Sequence, residues 1–198
     1  MRRVYAKCFR YLRQRWIWVM LAVLVFVELL VFHCLHAEPG LGTYREYVAQ
    51  TLPQYPNEFL FLAVGNSKSA LWTVLMGAIP FGAGVFFDVF LQIKSLTAIG
   101  KYLLGDLGTA AFLAGVLPHG VVEILAMIMS VVCGVLISRA VTKTLLSLVK
   151  GQGRSALAEG AEEVRCIVGT VLLVVLPLVL IGAVIEVTVT PVIYAMFR

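Results

Sequence analysis

The chain has 198 residues, of which 61% are hydrophobic and 14% are charged. A soluble domain is nearer ~45–50% apolar and ~25% charged, so a soluble fold would lack polar residues to cover its surface. The net charge of +5 does not indicate nucleic-acid binding, because the basic residues flank apolar stretches and form no patch. The composition therefore predicts an all-α, polytopic membrane helix bundle, with the lipid bilayer as a partner and no nucleic acid.

The chain begins with a basic leader, 1–15, which is predicted to be cytoplasmic and to precede a single membrane domain, 16–198. Its basic residues are Arg2, Arg3, Lys7, Arg10, Arg13 and Arg15. The apolar run at 16–35 is longer than the ~7–15 residues of a signal-peptide core, and no small-x-small cleavage site follows it. We therefore expect an uncleaved first transmembrane helix.

The polar stretch 36–68 is expected to form an external loop. It contains three prolines and three tyrosines, and a short amphipathic helix is predicted around 44–52. The second span is predicted at 69–93. Its middle carries small residues and a proline, which loosen a helix and favour close packing. These residues are Gly77, Pro80, Gly82 and Gly84.

The second half of the chain predicts three further apolar segments. The first, 96–117, is interrupted by charged residues and glycines, so it is either one span or two half-helices that dip and return. Two clearer spans are predicted at 121–141 and 166–190, joined by a charged cytoplasmic loop at 142–165. We expect about five transmembrane helices, some of them broken by glycine or proline.

The distribution of basic residues predicts the orientation. With five spans and the N-terminus inside, thirteen Lys and Arg residues lie on the cytoplasmic side and three lie outside. This imbalance satisfies the positive-inside rule. We therefore expect a multi-pass protein of the bacterial cell membrane, with a cytoplasmic N-terminus and an extracytoplasmic C-terminus.

Ionisable residues inside spans are costly and are functional candidates by default. The candidates are Glu28, Asp88, His119, Glu123 and Glu186. His119 stands four residues before Glu123, so the two side chains share one helix face. In the predicted orientation three of the acids gather with His119 in the outer leaflet, whereas Asp88 lies near the inner end of its helix. We expect an intramembrane polar cluster beneath the external loop, with a structural or a functional role.

Residues 118–123 also look like the start of a helix. Pro118 and Gly120 would set the turn, and Glu123 would reach back to free backbone N–H groups. The pair of His119 and Glu123 is able to ligate a metal or to carry a proton, but a histidine and a carboxylate alone are weak support for either. The sequence lacks the histidine and aspartate sets of intramembrane proteases. No catalytic residue, metal or cofactor is therefore expected, and we expect no enzyme.

The chain resembles the stage II sporulation protein M family. The resemblance lies in Leu-Pro-His-Gly-Val-Val-Glu-Ile at 117–124, in the glycine-rich helix 77–84 and in the last helix, 180–191. It extends over roughly 66–191. The namesake is a membrane component of the engulfment machinery of endospore-forming bacteria. The resemblance implies a scaffold that anchors and localises cell-wall-remodelling partners outside the membrane, either membrane proteins or wall-degrading enzymes.

The residues themselves leave a second function open. Broken helices and intramembrane acids are typical of small transporters and channel subunits. No internal inverted repeat is visible, and five spans do not divide into one, but a dimer could still form a transport pathway. Two hypotheses therefore remain to be compared with the structure. One is a scaffold, and the other is a small transporter or channel subunit with a polar outer-leaflet site.

Overall fold

The computed structural model describes residues 2–40, 50–151 and 153–196, and these ranges are almost entirely helical. The main helices are α1 (Arg2–Gln14), α2 (Trp16–His36), α3 (Glu58–Met76), α4 (Ala83–Leu107), α5 (Thr109–Val149), α6 (Gly153–Thr170), α7 (Leu176–Thr188) and α8 (Thr190–Ala195). Within the described ranges, five helical stretches are long and apolar enough to cross a membrane. They are Trp16–His36, Glu58–Met76, Pro80–Leu107, Thr109–Val149 and Ser155–Ala195. The predicted all-α bundle with five transmembrane helices is confirmed.

The chain reverses direction at 77–82, so the prediction of one span at 69–93 is wrong. Phe81 and Gly82 have φ angles of 61° and 76°, which no α-helix contains. Pro80 begins the turn, and its ring lacks the N–H that would continue α3. Gly84 lets the two helices close tightly, because an added Cβ would lie 2.5 Å from the carbonyl oxygen of Met76. The glycines and the proline therefore end the helix instead of kinking it.

The segment predicted at 96–117 is divided at Gly108, where φ is 75°, between α4 and α5. The two helices are antiparallel, because Val85 near the start of α4 packs against Gly134 in the second half of α5. The chain thus makes two hairpins where the sequence suggested one long span and one uncertain segment. The total of five candidate spans is unchanged.

Pro118 lies inside the unbroken helix α5, so the predictions of a helix start and a helix break at this residue are wrong. The helix begins at Thr109 instead, directly after the turn at Gly108. A proline is tolerated in a transmembrane helix when neighbouring helices and local adjustments compensate for the missing N–H. Pro177 lies next to such an adjustment, a π-helical turn at Val171–Val175.

Both predicted loops are shorter than expected. Asn57 caps α3 by accepting a hydrogen bond from the Leu60 amide at 2.9 Å, so residues 58–68 are helical. Segment 142–165 consists of the end of α5, a turn at Gly151 and the start of α6. The 41 residues of α5 extend about 61 Å, twice the ~30 Å of a hydrocarbon core. Its charged end therefore projects beyond the hydrocarbon and needs no loop. The short helix predicted at 44–52 falls mainly outside the described residues.

The core surrounds α5, which contacts α2, α3, α4, α6, α7 and α8. Its small central residues Ser130, Cys133 and Gly134 allow the neighbouring helices to approach closely. We call one end of the bundle the α1 end, because it holds α1, the 77–82 turn and the turn at Gly151. We call the other the Gly108 end, because it holds the Gly108 turn, the end of α2 and the start of α3.

Candidate functional site

A polar cluster lies between α3, α5, α7 and the start of α8 near the Gly108 end. His119, Glu123 and Glu186 each offer a ligand atom, and these three atoms lie within 4.8 Å of one another. The Asn66 amide donates a hydrogen bond of 2.6 Å to Oε1 of Glu123. The ring nitrogen Nδ1 of His119 lies 3.1 Å from the hydroxyl of Thr190. We call these five residues the polar cluster.

Helical spacing brings these side chains together. His119 and Glu123 lie one turn apart on α5, and Gly182 precedes Glu186 by one turn on α7. An added Cβ on Gly182 would lie 2.9 Å from Cγ of Glu123, so the glycine makes room for the carboxylate. Asn66 comes eight residues into α3, where an amide is unusual in an apolar helix. The small residue on α7 therefore decides how closely the two acids approach.

The distance between the cluster and the opposite end of the bundle follows from helical geometry along α5. Twenty residues separate His119 from Arg139, which corresponds to about 30 Å of helix. This distance equals the usual thickness of the hydrocarbon core. His119 and Arg139 are therefore one hydrocarbon thickness apart, so the polar cluster and the basic end of α5 lie toward opposite ends of the bundle.

Two of the predicted acids lie elsewhere. Glu28 is exposed on the surface of α2. Asp88 is buried between α3 and α4, where it accepts hydrogen bonds of 2.8 Å from Thr73 and 2.6 Å from Gln92. The structure thus joins His119, Glu123 and Glu186 and places the other two apart. Of the predicted packing residues, Gly77, Pro80, Gly82 and Gly84 all belong to the 77–82 turn or border it.

A second polar site, which the sequence did not reveal, is centred on Glu163 at the α1 end. This buried carboxylate accepts hydrogen bonds from Tyr11 at 3.1 Å, from Arg15 at 3.4 Å and from Arg139 at 2.5 Å. Lys143 lies 3.8 Å away. Burial, followed by the negative charge of Glu163, raises the pKa of Tyr11 above its ordinary value of 10.0. One carboxylate therefore ties α1, the start of α2, α5 and α6 together.

The polar cluster offers two kinds of chemistry. A histidine nitrogen and two carboxylate oxygens at this spacing are a donor set that a divalent cation accepts. The hydrogen bond from Asn66 to Glu123 and the one between His119 and Thr190 also connect α3, α5 and α8, and so they hold these helices in register. The prediction that no metal or cofactor binds stays a prediction.

Comparison with known proteins identifies the family. A sequence profile of the stage II sporulation protein M family matches residues 17–191. The chain belongs to this family. No curated protein and no solved structure matches it. The matched range reaches from the beginning of α2 to the start of α8, so it includes the polar cluster and confirms the resemblance carried by 117–124 and 180–191. The sequence, the fold and the profile together identify a multi-pass membrane protein of the stage II sporulation protein M family.

Proposed function

We propose that the protein is a non-enzymatic membrane scaffold that anchors extracytoplasmic cell-wall-remodelling partners. The single observation that carries this proposal is the exposure of Glu28. Its carboxylate lies about 12 Å along α2 from His36, well within the hydrocarbon. No hydrogen bond or ion pair reaches it from the part of the chain that the structure describes. A charged side chain at such depth costs roughly 2.5–3.5 kcal/mol, which a partner helix with a donor or a cation would remove.

The residues around Glu28 form a face suited to helix packing. Leu24, Glu28, Val31 and Leu35 repeat at spacings of four, three and four residues, as in a helix–helix seam. Leu24 and Val31 are each 53% exposed, and Leu35 is 72% exposed. We call these four residues the α2 face. It supports docking of a partner's transmembrane helix rather than a lone lipid contact, because lipid tails do not satisfy a carboxylate.

The orientation in the proposal keeps the α1 end in the cytoplasm, with one revision of the charge count. Lys101 donates a hydrogen bond of 2.7 Å to the carbonyl oxygen of Ala37, so it lies at the Gly108 end. Lys94 lies seven residues earlier on α4, well away from the 77–82 turn. Removing these two from the thirteen cytoplasmic basic residues leaves eleven of the sixteen at the α1 end. The positive-inside rule still favours a cytoplasmic α1 end and an extracytoplasmic connection at 37–57.

A photocrosslinking experiment in native membranes tests the scaffold. A photoreactive amino acid replaces Val31 on the α2 face or, as a matched control, Ile181 on α7, which is 50% exposed. We expect a crosslink to a membrane-anchored extracytoplasmic protein from position 31 alone, and its loss when Glu28→Leu is added. Deletion of 44–55 should reduce recovery of the same protein without affecting membrane insertion. Crosslinks that are equal at both positions, or unchanged by Glu28→Leu, would contradict the proposal.

The second candidate function is a transporter or channel subunit, favoured by the donor set of His119, Glu123 and Glu186. On this alternative, purified protein binds Zn²⁺ or Mn²⁺ in calorimetric titration, and Glu123→Gln abolishes the binding. Glu28→Gln, which removes an acid outside the cluster, should then leave binding unchanged. Recovery of the chain only as a homo-oligomer, together with cation flux in vesicles that Glu123→Gln abolishes, would favour transport over the scaffold.

A further inference from the structure

A groove of about 710 Å³ opens on the side of the bundle between α2, α4 and α5, near the α1 end. Ligand pockets in proteins usually measure ~300–1,000 Å³. Aliphatic side chains line its deep part: Leu21, Val25, Val85, Val89, Val131 and Val135. A groove of this lining, open on the surface that faces the lipid, suits hydrocarbon chains.

The groove changes from apolar to basic along α5. Val131 and Val135 lie at the deep end, and Ser138 and Arg139 follow one turn later. Lys143 and Lys150 continue the same wall, with Lys150 about 16 Å beyond Arg139. Basic side chains at the end of a transmembrane helix lie where the hydrocarbon meets the headgroups, so this end of the groove is the part suited to an anionic headgroup.

The positive charge in this part is only partly neutralised. Arg139 pairs with Glu163, and Lys143 pairs at 2.7 Å with Glu159. No carboxylate pairs with Lys150 among the residues that the structure describes. The basic end of the groove therefore keeps an uncompensated cation, which attracts an anion.

The 77–82 turn forms one wall of the groove, and its backbone is strained at Phe81. Phe81 adopts φ 61° although it is not a glycine, and its side chain is 79% exposed. Its amide donates a hydrogen bond of 2.9 Å to the Thr142 hydroxyl, and the Gly82 amide donates one of 2.7 Å to Ser138. These bonds hold Phe81 beside the groove. Strained backbone conformations of this kind persist only where the surrounding structure enforces them. They are concentrated at active sites and ligand sites.

We propose that this groove binds an anionic glycerophospholipid. Its acyl chains lie against the aliphatic wall, and its phosphate lies between Lys143 and Lys150. Basic pockets between transmembrane helices bind anionic headgroups in the same way. The groove is lined by residues other than those of the polar cluster and the α2 face, so the proposal goes beyond the proposed function and does not depend on it.

Quenching of Trp18 fluorescence by brominated lipid tests the proposal, because Trp18 lines the groove. Trp16→Phe and Trp72→Phe leave Trp18 as the single reporter, and both replaced side chains are exposed. The full chain is reconstituted in phosphatidylcholine vesicles with a rising fraction of brominated phosphatidylglycerol or, in parallel, of brominated phosphatidylcholine. We expect phosphatidylglycerol to reach half-maximal quenching at a several-fold lower mole fraction.

Two matched variants locate the effect in the groove. Lys150→Gln should raise the half-maximal fraction of phosphatidylglycerol about fivefold, as expected for one basic side chain near a lipid surface. Arg165→Gln, which removes an exposed cation of the same end that does not line the groove, should change nothing. Equal quenching curves for the two lipids, or equal effects of the two variants, would overturn the proposal. Displacement of phosphatidylglycerol by inorganic phosphate alone would also overturn it, because the site would then bind a free anion.

Discussion

Gly77→Ala is the most direct test of the packing between the α3–α4 hairpin and α5. A Cβ at this position would lie 2.3 Å from the carbonyl oxygen of Gly134 and 2.9 Å from Cβ of Ile137. Both contacts involve backbone or a side-chain root, so no flexible group can move away. The φ angle of Gly77 is −61°, which alanine adopts freely, so the effect isolates the contact from backbone strain.

The expected magnitude combines two terms. Overpacking of a close contact costs ~1–3 kcal/mol, whereas alanine in place of glycine gains ~0.5–1 kcal/mol in a helix. The net loss is therefore up to about 2.5 kcal/mol, which corresponds to a fall in Tm of up to roughly 10 °C for a chain of this size. Gly65→Ala is the matched control, because nothing lies within 4 Å of its added Cβ. It should raise Tm by a few degrees.

Thermal unfolding of the purified protein in detergent, followed by the loss of the monodisperse species, measures both variants. The contact argument predicts that the two changes have opposite signs. If Gly77→Ala were as stable as Gly65→Ala, the hairpin would not lie against α5 at this distance. The antiparallel arrangement of α3, α4 and α5 would then need revision.

Two further pairs of variants test the polar sites. Glu123→Gln keeps the acceptor for Asn66 and should leave protein abundance in the membrane unchanged by immunoblot, whereas Glu123→Ala loses the bond and should destabilise the fold by about 0.5–1.5 kcal/mol. Glu163→Gln should lower the free energy of unfolding by about 1–3 kcal/mol, which is less than the loss of a fully buried ion pair because the partners of Glu163 are partly solvated. Glu159→Gln removes an exposed ion pair and should lower it by at most ~1 kcal/mol in the same denaturation assay. The raised pKa of Tyr11 means that its stabilising contribution is complete below pH 10.0 and is lost as the pH rises through the folded-state pKa. A Tm–pH curve should show this alkaline loss in the parent and a smaller one in Tyr11→Phe.

The number of spans could be predicted from the sequence, but two of their boundaries could not. Hydropathy and length assign a span to any apolar stretch of ~20 residues, and 69–93 satisfies that condition. Whether Gly77, Pro80 and Gly82 kink a helix or end it depends on whether another helix can receive the turn. Here Ser138 and Thr142 of α5 do so by bonding its backbone. That contact joins residues about sixty positions apart, and no local pattern encodes it.

The candidate site, too, could be predicted only in part from the sequence. The shared face of His119 and Glu123 follows from helical spacing, and the depth of Glu186 follows from counting residues to the end of its span. The position of Glu28 could not be predicted from the sequence, because its place on the exposed side of α2 depends on which helices pack against α2. Glu163 resembled Glu159 and Glu162 in a charged segment, and only its three-dimensional proximity to Tyr11 and Arg139 distinguishes it.

The arrangement of satisfied and unsatisfied polar groups argues for a division of labour within the bundle. Around α5, the hydrogen bonds of Asn66 with Glu123 and of Arg139 with Glu163 cross between helices, and so they contribute to stability. Glu28 and Lys150, which have no partner in the described chain, lie on the periphery, and α2 is the least buried of the five candidate spans. A scaffold needs this separation, because its partners have to bind and leave without disturbing the fold. Glu28→Leu and Lys150→Gln should therefore reduce partner and lipid binding while leaving Tm unchanged, whereas substitutions around α5 should alter Tm first.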